Sequence, residues 1–276
     1  MGIDDNLGYR GTMNGISLFS GTAIGELVFK HIIPGYRTVG YVEWDKHCQD
    51  VIRQRIKDGW FDDAPIFGDI REFNERYASL YAGKVDWLSG GFPCQPFSVA
   101  GRQLGEADER NMWPATRDAI RILRPRYFLG ENVPGLVSHR YIYRVIADLA
   151  EIGYDAEWDI VGASDVGANH RRKRWWVIAN TERKSDNEYV EKCRIPSVGE
   201  KGPRQWGADW IKFELDIGNV APTKWGCERF GFTSQPTLVR VNDGLATELD
   251  ARLTATGNGW VPQVVAAILN IERGRP

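Results

Sequence analysis

Short apolar strand patterns alternate with helical ones along the first 180 residues, and this alternation limits the fold more than any other feature. ISLF (16–19), RTVGYVEW (37–44), APIFGD (64–69), VDWLSG (85–90), RYFLGENV (126–133), AEWDIVGA (156–163) and RWWVIAN (174–180) read as strands. Between them, GELVFKHI (25–32), DKHCQDVIRQRIK (45–57, with Asp45 as N-cap), 112–123 and 140–152 carry helical spacing. The pattern predicts an α/β fold, a parallel sheet with helices on both faces. Around residue 181 the texture changes. TERKSDNEYVEKCRIPSVGEKGPRQWGADW is polar, punctuated by glycine and proline, and has no clear period. We expect 1–180 to form the main domain, completed by 240–276 through the apolar helix VPQVVAAILNIE (261–272). Residues 181–239 are expected to form a small irregular module.

Composition removes several classes. At 276 residues, 42% hydrophobic and 26% charged, the chain can bury a large core. No run approaches the roughly 18 apolar residues of a membrane span. The N-terminal MGIDDNLGYRGTMNG lacks a secretory pattern, so a cytoplasmic protein is expected. Cys48, Cys94, Cys193 and Cys227 include no C-x-x-C pair, which argues against a disulfide framework or a zinc site. The net charge of −2 excludes a globally basic coat but leaves two basic patches. One is Arg171-Arg172-Lys173-Arg174; the other is Arg117, Arg121 and Arg124, which share a face if that segment is helical. Solvated surface is the commoner explanation of such runs.

In an open α/β sheet, ligands gather at the carboxyl ends of the strands. The first strand runs into Phe19-Ser20-Gly21-Thr22-Ala23-Ile24-Gly25, whose small residues let backbone amides approach a ligand at a helix start. The second ends in Glu43-Trp44, where a carboxylate can accept hydrogen bonds from a ribose diol. Asp69 follows the third and could hold an exocyclic amine. Together these strand ends suggest a nucleoside-containing cofactor. GGFPCQPFSVAG (90–101) follows the fourth strand and carries Cys94 between Pro93 and Pro96. A lone loop cysteine is usually a small packed side chain; here it can also be a nucleophile aimed by the prolines. Glu131, ending the fifth strand, is either a salt-bridge partner or a proton donor with a raised pKa. Arg172 and Arg174, two apart on a strand, would point the same way and could stabilise an anionic ring or a phosphate. A thiol, an acid and an arginine pair beside such a cofactor fit attack on an electron-poor ring followed by group transfer.

At these residues the chain resembles the cytosine-5 DNA methyltransferases, over most of its length. GGFPCQPFS resembles the family's Pro-Cys loop, ENV (131–133) its acid motif, and HRRKR (170–174) its Q-x-R-x-R segment with Arg172 and Arg174 on the two arginines. GNGWVPQ (257–263) resembles the late G-N-x-x-x-P-Q segment, and Asp108-x-Arg110 the end of the active-site loop. Departures are Ser17, Ala23 and Ile24 in place of an Asp and two adjacent glycines, with Gly25 displaced by one, and His170 for the usual glutamine.

The resemblance implies a Rossmann-like methyltransferase sheet with 181–239 as target-recognition module. It implies S-adenosylmethionine as cofactor, held by Phe19, Ser20, Gly21, Glu43, Trp44, Asp69, Ile70, Pro93, Asn258 and Gly259. Cys94 would be the nucleophile on a flipped-out cytosine, Glu131 the acid and Arg172 and Arg174 the anion holders, with Ser98 and Arg110 on the DNA backbone. The implied partner is double-stranded DNA; a cognate restriction endonuclease is a candidate second partner, and a monomer is expected. Three rivals stand beside it: a tRNA cytosine-5 methyltransferase, whose Cys-Phe-Thr triplet is lacking; a catalytically weak DNA-binding relic, which would have lost the thiol or the acid; and a nicotinamide oxidoreductase, whose G-x-G-x-x-G turn is lacking and which would leave Cys94 and the arginine pair unexplained.

Overall fold

The computed structural model describes residues 11–93, 111–166, 171–181 and 259–269. Cys94, Ser98, Arg110, His170, Asn258 and the 181–239 module expected from sequence lie outside the described residues, apart from Thr181.

Seven strands form one sheet in the order β3-β2-β1-β4-β5-β7-β6. They are β1 (Met13–Leu18), β2 (Tyr36–Val42), β3 (Ile66–Phe67), β4 (Trp87–Gly91), β5 (Tyr127–Asn132), β6 (Asp155–Gly162) and β7 (Lys173–Asn180). Strands β1 to β5 pair in parallel, but β7 runs antiparallel to both β5 and β6. The sheet is therefore mixed, and the expectation of a parallel sheet fails at this one strand. The reason lies in the connection. A parallel return needs a crossover, usually a helix; residues 163–172 contain a single 3-10 turn, Ala163–Val166, among those described. With its direction reversed, β7 brings its first residues, not its last, to the rim where the parallel strands end.

Helices cover both faces. They are α1 (Ile24–Ile32), α2 (Lys46–Lys57), α3 (Ile70–Arg76), α4 (Trp113–Leu123), α5 (Gly135–Ser138), α6 (Ile142–Glu151) and α7 (Pro262–Ile268). The period-2 alternation of the strands divides the core. Ile16, Leu18, Leu88, Phe128, Trp175 and Val177 pack with Phe73, Ile120, Leu123, Val145 and Leu149 of α3, α4 and α6. On the other face, Met13, Trp87, Tyr127, Leu129, Trp176 and Ile178 meet Val28 and Phe29 of α1 and Val265 and Ile268 of α7. Each such side chain, once fully buried, contributes roughly 1.5–3 kcal/mol by transfer from water.

The α2 start is as expected, with the Asp45 carboxylate accepting from the Cys48 amide at 2.8 Å. In the patch of Arg117, Arg121 and Arg124 each guanidinium has a protein partner, although Arg121 and Arg124 stay exposed. Arg117 pairs with Asp118 at 3.1 Å, Arg121 approaches the same carboxylate at 3.7 Å, and Arg124, in left-handed conformation past the end of α4, donates to the Ile152 carbonyl. Structural pairing accounts for all three.

Candidate active site

The rim is built first by the turn after β1. Phe19, Gly21 and Ala23 all have positive φ (51°, 54° and 56°), which folds the chain tightly before α1. The Ser20 amide donates to the Val42 carbonyl at 3.2 Å, and its hydroxyl to the Ser17 carbonyl at 3.1 Å. The end of β2 grips the same turn: Glu43 accepts from the Gly21 amide at 2.6 Å through Oε2 and from the Asp45 amide at 2.7 Å through Oε1. Burial raises the Glu43 pKa, and those amides pull it back. With the Trp44 amide also engaging it, the carboxylate's roughly four lone-pair sites still exceed the amides that use them. Space above Gly21 is open, since a Cβ there would meet nothing within 4 Å. Trp44 beside it is 77% exposed, uncommon for so large an apolar ring.

Asp69 has more obligations than its sequence position suggests. It caps α3 by accepting from the Arg71 amide at 2.7 Å and holds the Arg71 guanidinium at 2.6 Å, which lowers its pKa. The Ile70 side chain is buried in the core, which leaves only its backbone to face a ligand.

A second group gathers where β4, β5 and β7 meet. Gly91 pairs with Glu131 across β4 and β5, and Glu131 with Trp176 across β5 and β7. Arg174 Nε lies 2.9 Å from Glu131 Oε1. The other carboxylate oxygen faces Gly91, where a Cβ would sit 2.9 Å from it. Arg172 donates to the Gly259 carbonyl at 3.0 Å. Glu131, Arg172, Arg174, Trp176 and Trp260 line one small cavity. Burial pushes the Glu131 pKa up to about 7, prevailing over the pull of the two guanidiniums. Burial and the Arg174 charge lower that of Arg172. An acid with such a pKa can both give and take a proton near neutrality.

Pro93 is the last described residue before Cys94. Its carbonyl accepts from the Met112 amide at 3.3 Å, and the Phe92 carbonyl from Asn132 Nδ2 at 3.0 Å. Across residues 94–110, Asn111 Nδ2 donates to the Tyr141 hydroxyl at 2.7 Å. Sequence reasoning missed Asn111, Asn132, Tyr141 and Trp260. Asn132 and Trp260 stood inside the quoted ENV and GNGWVPQ segments, whereas nothing at 111 or 141 pointed to a pairing thirty residues apart. Cys48, the one described cysteine, is buried, and its thiol is pushed up to about 12, which removes it as a rival nucleophile.

Comparison with known proteins then decides the family. The model of the C-5 cytosine-specific DNA methylases matches residues 13–206. This chain belongs to that family. Among curated relatives of this chain, the type II methyltransferase M.NgoMIV of Neisseria gonorrhoeae is 34% identical over 208 residues, covering 71% of this chain and 61% of that protein. The orphan methyltransferase M.Rho11sI of Bacillus phage rho11s is 30% identical over 213 residues, covering 74% of this chain and 41% of that protein. The chain thus spans less than two thirds of the length of either relative. A DNMT2 variant from Spodoptera frugiperda, of known crystal structure, aligns with a TM-score of 0.52 at 20% identity, over 63% of this chain and 51% of that one. It shares the Rossmann-like fold. The family match runs through Glu131 and both arginines.

Proposed function

We propose that this methylase transfers a methyl group from S-adenosylmethionine to C5 of a cytosine flipped out of duplex DNA. The observation that carries the reading is Glu131: a buried carboxyl with a pKa of about 7, one oxygen held by Arg174 and the other turned toward Gly91, three residues before Cys94.

The residues at the β1 and β2 ends fit the cofactor. The open backbone at Gly21 can admit the nucleoside, Glu43 has lone pairs for the ribose hydroxyls, and exposed Trp44 offers a face for the base. Phe19, Ser20, Asp69, Ile70, Pro93, Asn258 and Gly259 complete the proposed set. When bound, the cofactor supplies an electrophilic methyl group.

The chain's own work is on the pyrimidine. The target base has to leave the stack, which costs a few kcal/mol, because C6 is out of reach inside the duplex. The Cys94 thiolate forms a bond to C6, and Glu131 donates its proton to N3, so the electron pair settles at C5 as an enamine rather than as a bare carbanion. After C5 is alkylated, loss of the C5 proton to water and departure of Cys94 as the thiolate, with N3 returning its proton to Glu131, restore the neutral aromatic ring. Arg172 and Arg174 hold the base oxygen and an adjoining phosphate, and keep positive charge beside Glu131 after it has given up its proton. Ser98 and Arg110 contact the DNA backbone, and 181–239 reads the target sequence.

A duplex library carrying 5-fluorocytosine tests this, since fluorine blocks the final loss of the C5 substituent. With cofactor, a denaturant-resistant protein–DNA adduct is expected, absent in Cys94→Ser. No adduct with the unsubstituted chain would refute the mechanism, and an adduct on tRNA instead would move the substrate to RNA.

A further inference from the structure

Trp260 stands between the two halves of the site. It precedes α7, whose buried side packs on α1, and its ring is held edge-on by Phe29 of α1 at 6.2 Å and by Trp176 of β7 at 5.1 Å. The six-membered ring lies against Gly25 in the first turn of α1. A Cβ at Gly25 would sit 2.7 Å from Cε3 and 3.0 Å from Cζ3, closer than side chains approach. The indole nitrogen lies against Gly91, where a Cβ would be 3.1 Å from Nε1 and 2.9 Å from Glu131 Oε2. Its neighbour Gly259 accepts from Arg172. One short segment therefore touches the helix that closes the cofactor turn, the strand that leads to Cys94, and the wall that carries the acid and the arginines.

The ring packs against the core between α1 and α7 and is only partly buried, and at two glycines of the rim it leaves no room for a Cβ. The contact also gives a reason for glycine at 25: α1 can come this close to the indole only where its residue has no Cβ.

We propose that Trp260 is a positioning residue, setting the distance between the cofactor turn at Gly21–Gly25 and the methyl-transfer rim at Gly91, Glu131 and Arg172. The proposal rests on the methyl-transfer reading above. An indole suits the task because it is large, flat and nearly rigid, with few rotors to freeze. Its position fixes two backbones at once.

A double-mutant cycle on the full chain tests it, reading the S-adenosylmethionine Kd, single-turnover methylation of DNA and the urea midpoint. Gly25→Ala drives a methyl into the indole, so cofactor affinity should fall. Trp260→Ala removes the obstacle, so Gly25→Ala in that background should lose much less affinity, a coupling of roughly fivefold or more. Methylation by Trp260→Ala should stay low even at saturating cofactor, because Glu131 and Arg172 have lost their brace. Trp260→Phe keeps a flat ring and should recover most of both properties, which guards against a result that reflects failed folding. A purely structural role moves the urea midpoint alone. Additive effects on Kd, or unchanged Kd and turnover in Trp260→Ala, would overturn the proposal while leaving the function standing. A parent chain that neither binds the cofactor nor methylates would overturn both.

Discussion

Replacing Glu131 by glutamine removes the ionisable group and keeps its size and its hydrogen bond to Arg174. In the folded chain the Glu131 pKa is raised by burial from the ordinary 4.5 to about 7. Between those values the unfolded chain has lost its proton and the folded chain still binds one, so stability falls as pH rises. At about 1.4 kcal/mol per pH unit, the whole window amounts to about 3 kcal/mol, present at low pH and gone above the folded pKa. The other shifted carboxyls, Glu26 and Glu43 raised and Asp69 lowered, are common to both proteins and cancel in the difference. Urea unfolding of parent and Glu131→Gln near pH ~5 and pH ~8 should therefore show the parent losing about 2–3 kcal/mol relative to the variant. A difference constant to within about 0.5 kcal/mol across that range would refute the raised pKa, and with it the acid role built on it. Turnover follows the same group. The parent's rate should decline above about pH 7 as the acid form disappears, and Glu131→Gln should lie roughly 10²–10⁴-fold below it.

Further outcomes follow from the geometry at four positions. Glu26→Ala leaves the hydroxyls of Tyr36, Thr38 and Ser89 without their buried acceptor and should destabilise by about 3 kcal/mol or more, with Glu26→Gln milder, both read by urea titration. Asn111→Ala breaks the buried bond to Tyr141 at the far end of the Cys94 segment; adduct formation with 5-fluorocytosine should slow more than the Kd for cofactor changes, and equal loss in both would contradict this. Gly21→Ala adds a methyl that touches nothing at a φ of 54° and should cost about 1 kcal/mol of stability, whereas Ala23→Gly relieves the same strain but removes a methyl from the Tyr41–Ile52–Phe61 cluster, worth about 0.8 kcal/mol, and should be nearly neutral.

Strand positions were legible because burial imposes alternation, and Tyr127, Phe128 and Leu129 go to opposite faces as RYFLGENV suggests. The direction of β7 was not, since alternation is the same whichever way a strand runs. APIFGD shortened to Ile66–Phe67 because only two of its residues meet β2, and α3 was missed because seven residues show too little period to stand out. Of the candidate site, the residues at the strand ends could be named from their positions, because the end of a parallel strand is also the rim of the sheet. Their obligations to one another could not. Nothing in the spacing says that Asp69 is taken by Arg71, or that Glu43 holds the Gly21 amide rather than standing free.

The altered first turn shows how such obligations redistribute. The family resemblance expects an acid at 17, and the chain has a serine. That serine is buried facing α1, and the carboxyl of Glu26 reaches down from the helix to bond it, together with Ser89 of β4 and Tyr36 and Thr38 of β2. A carboxyl thus occupies the interior beneath the turn although β1 does not provide it. Burial raises its pKa, against the pull of the hydroxyls that donate to it. Gly15 belongs to the same adjustment, since a Cβ on it would strike the Tyr36 hydroxyl that Glu26 engages. At the top of the turn, Ala23 takes the left-handed backbone that a glycine would adopt without strain, and its methyl is buried against Tyr41 and Phe61. The glycine that α1 does require is the one at 25, against Trp260. Departures at 17, 23 and 24 are thus not three separate losses but parts of one repacked joint between α1, the sheet and the segment at 259–261; Ser17→Asp alone would bury a second carboxyl beside Glu26 and should destabilise the turn, in contrast to the nearly neutral Ala23→Gly.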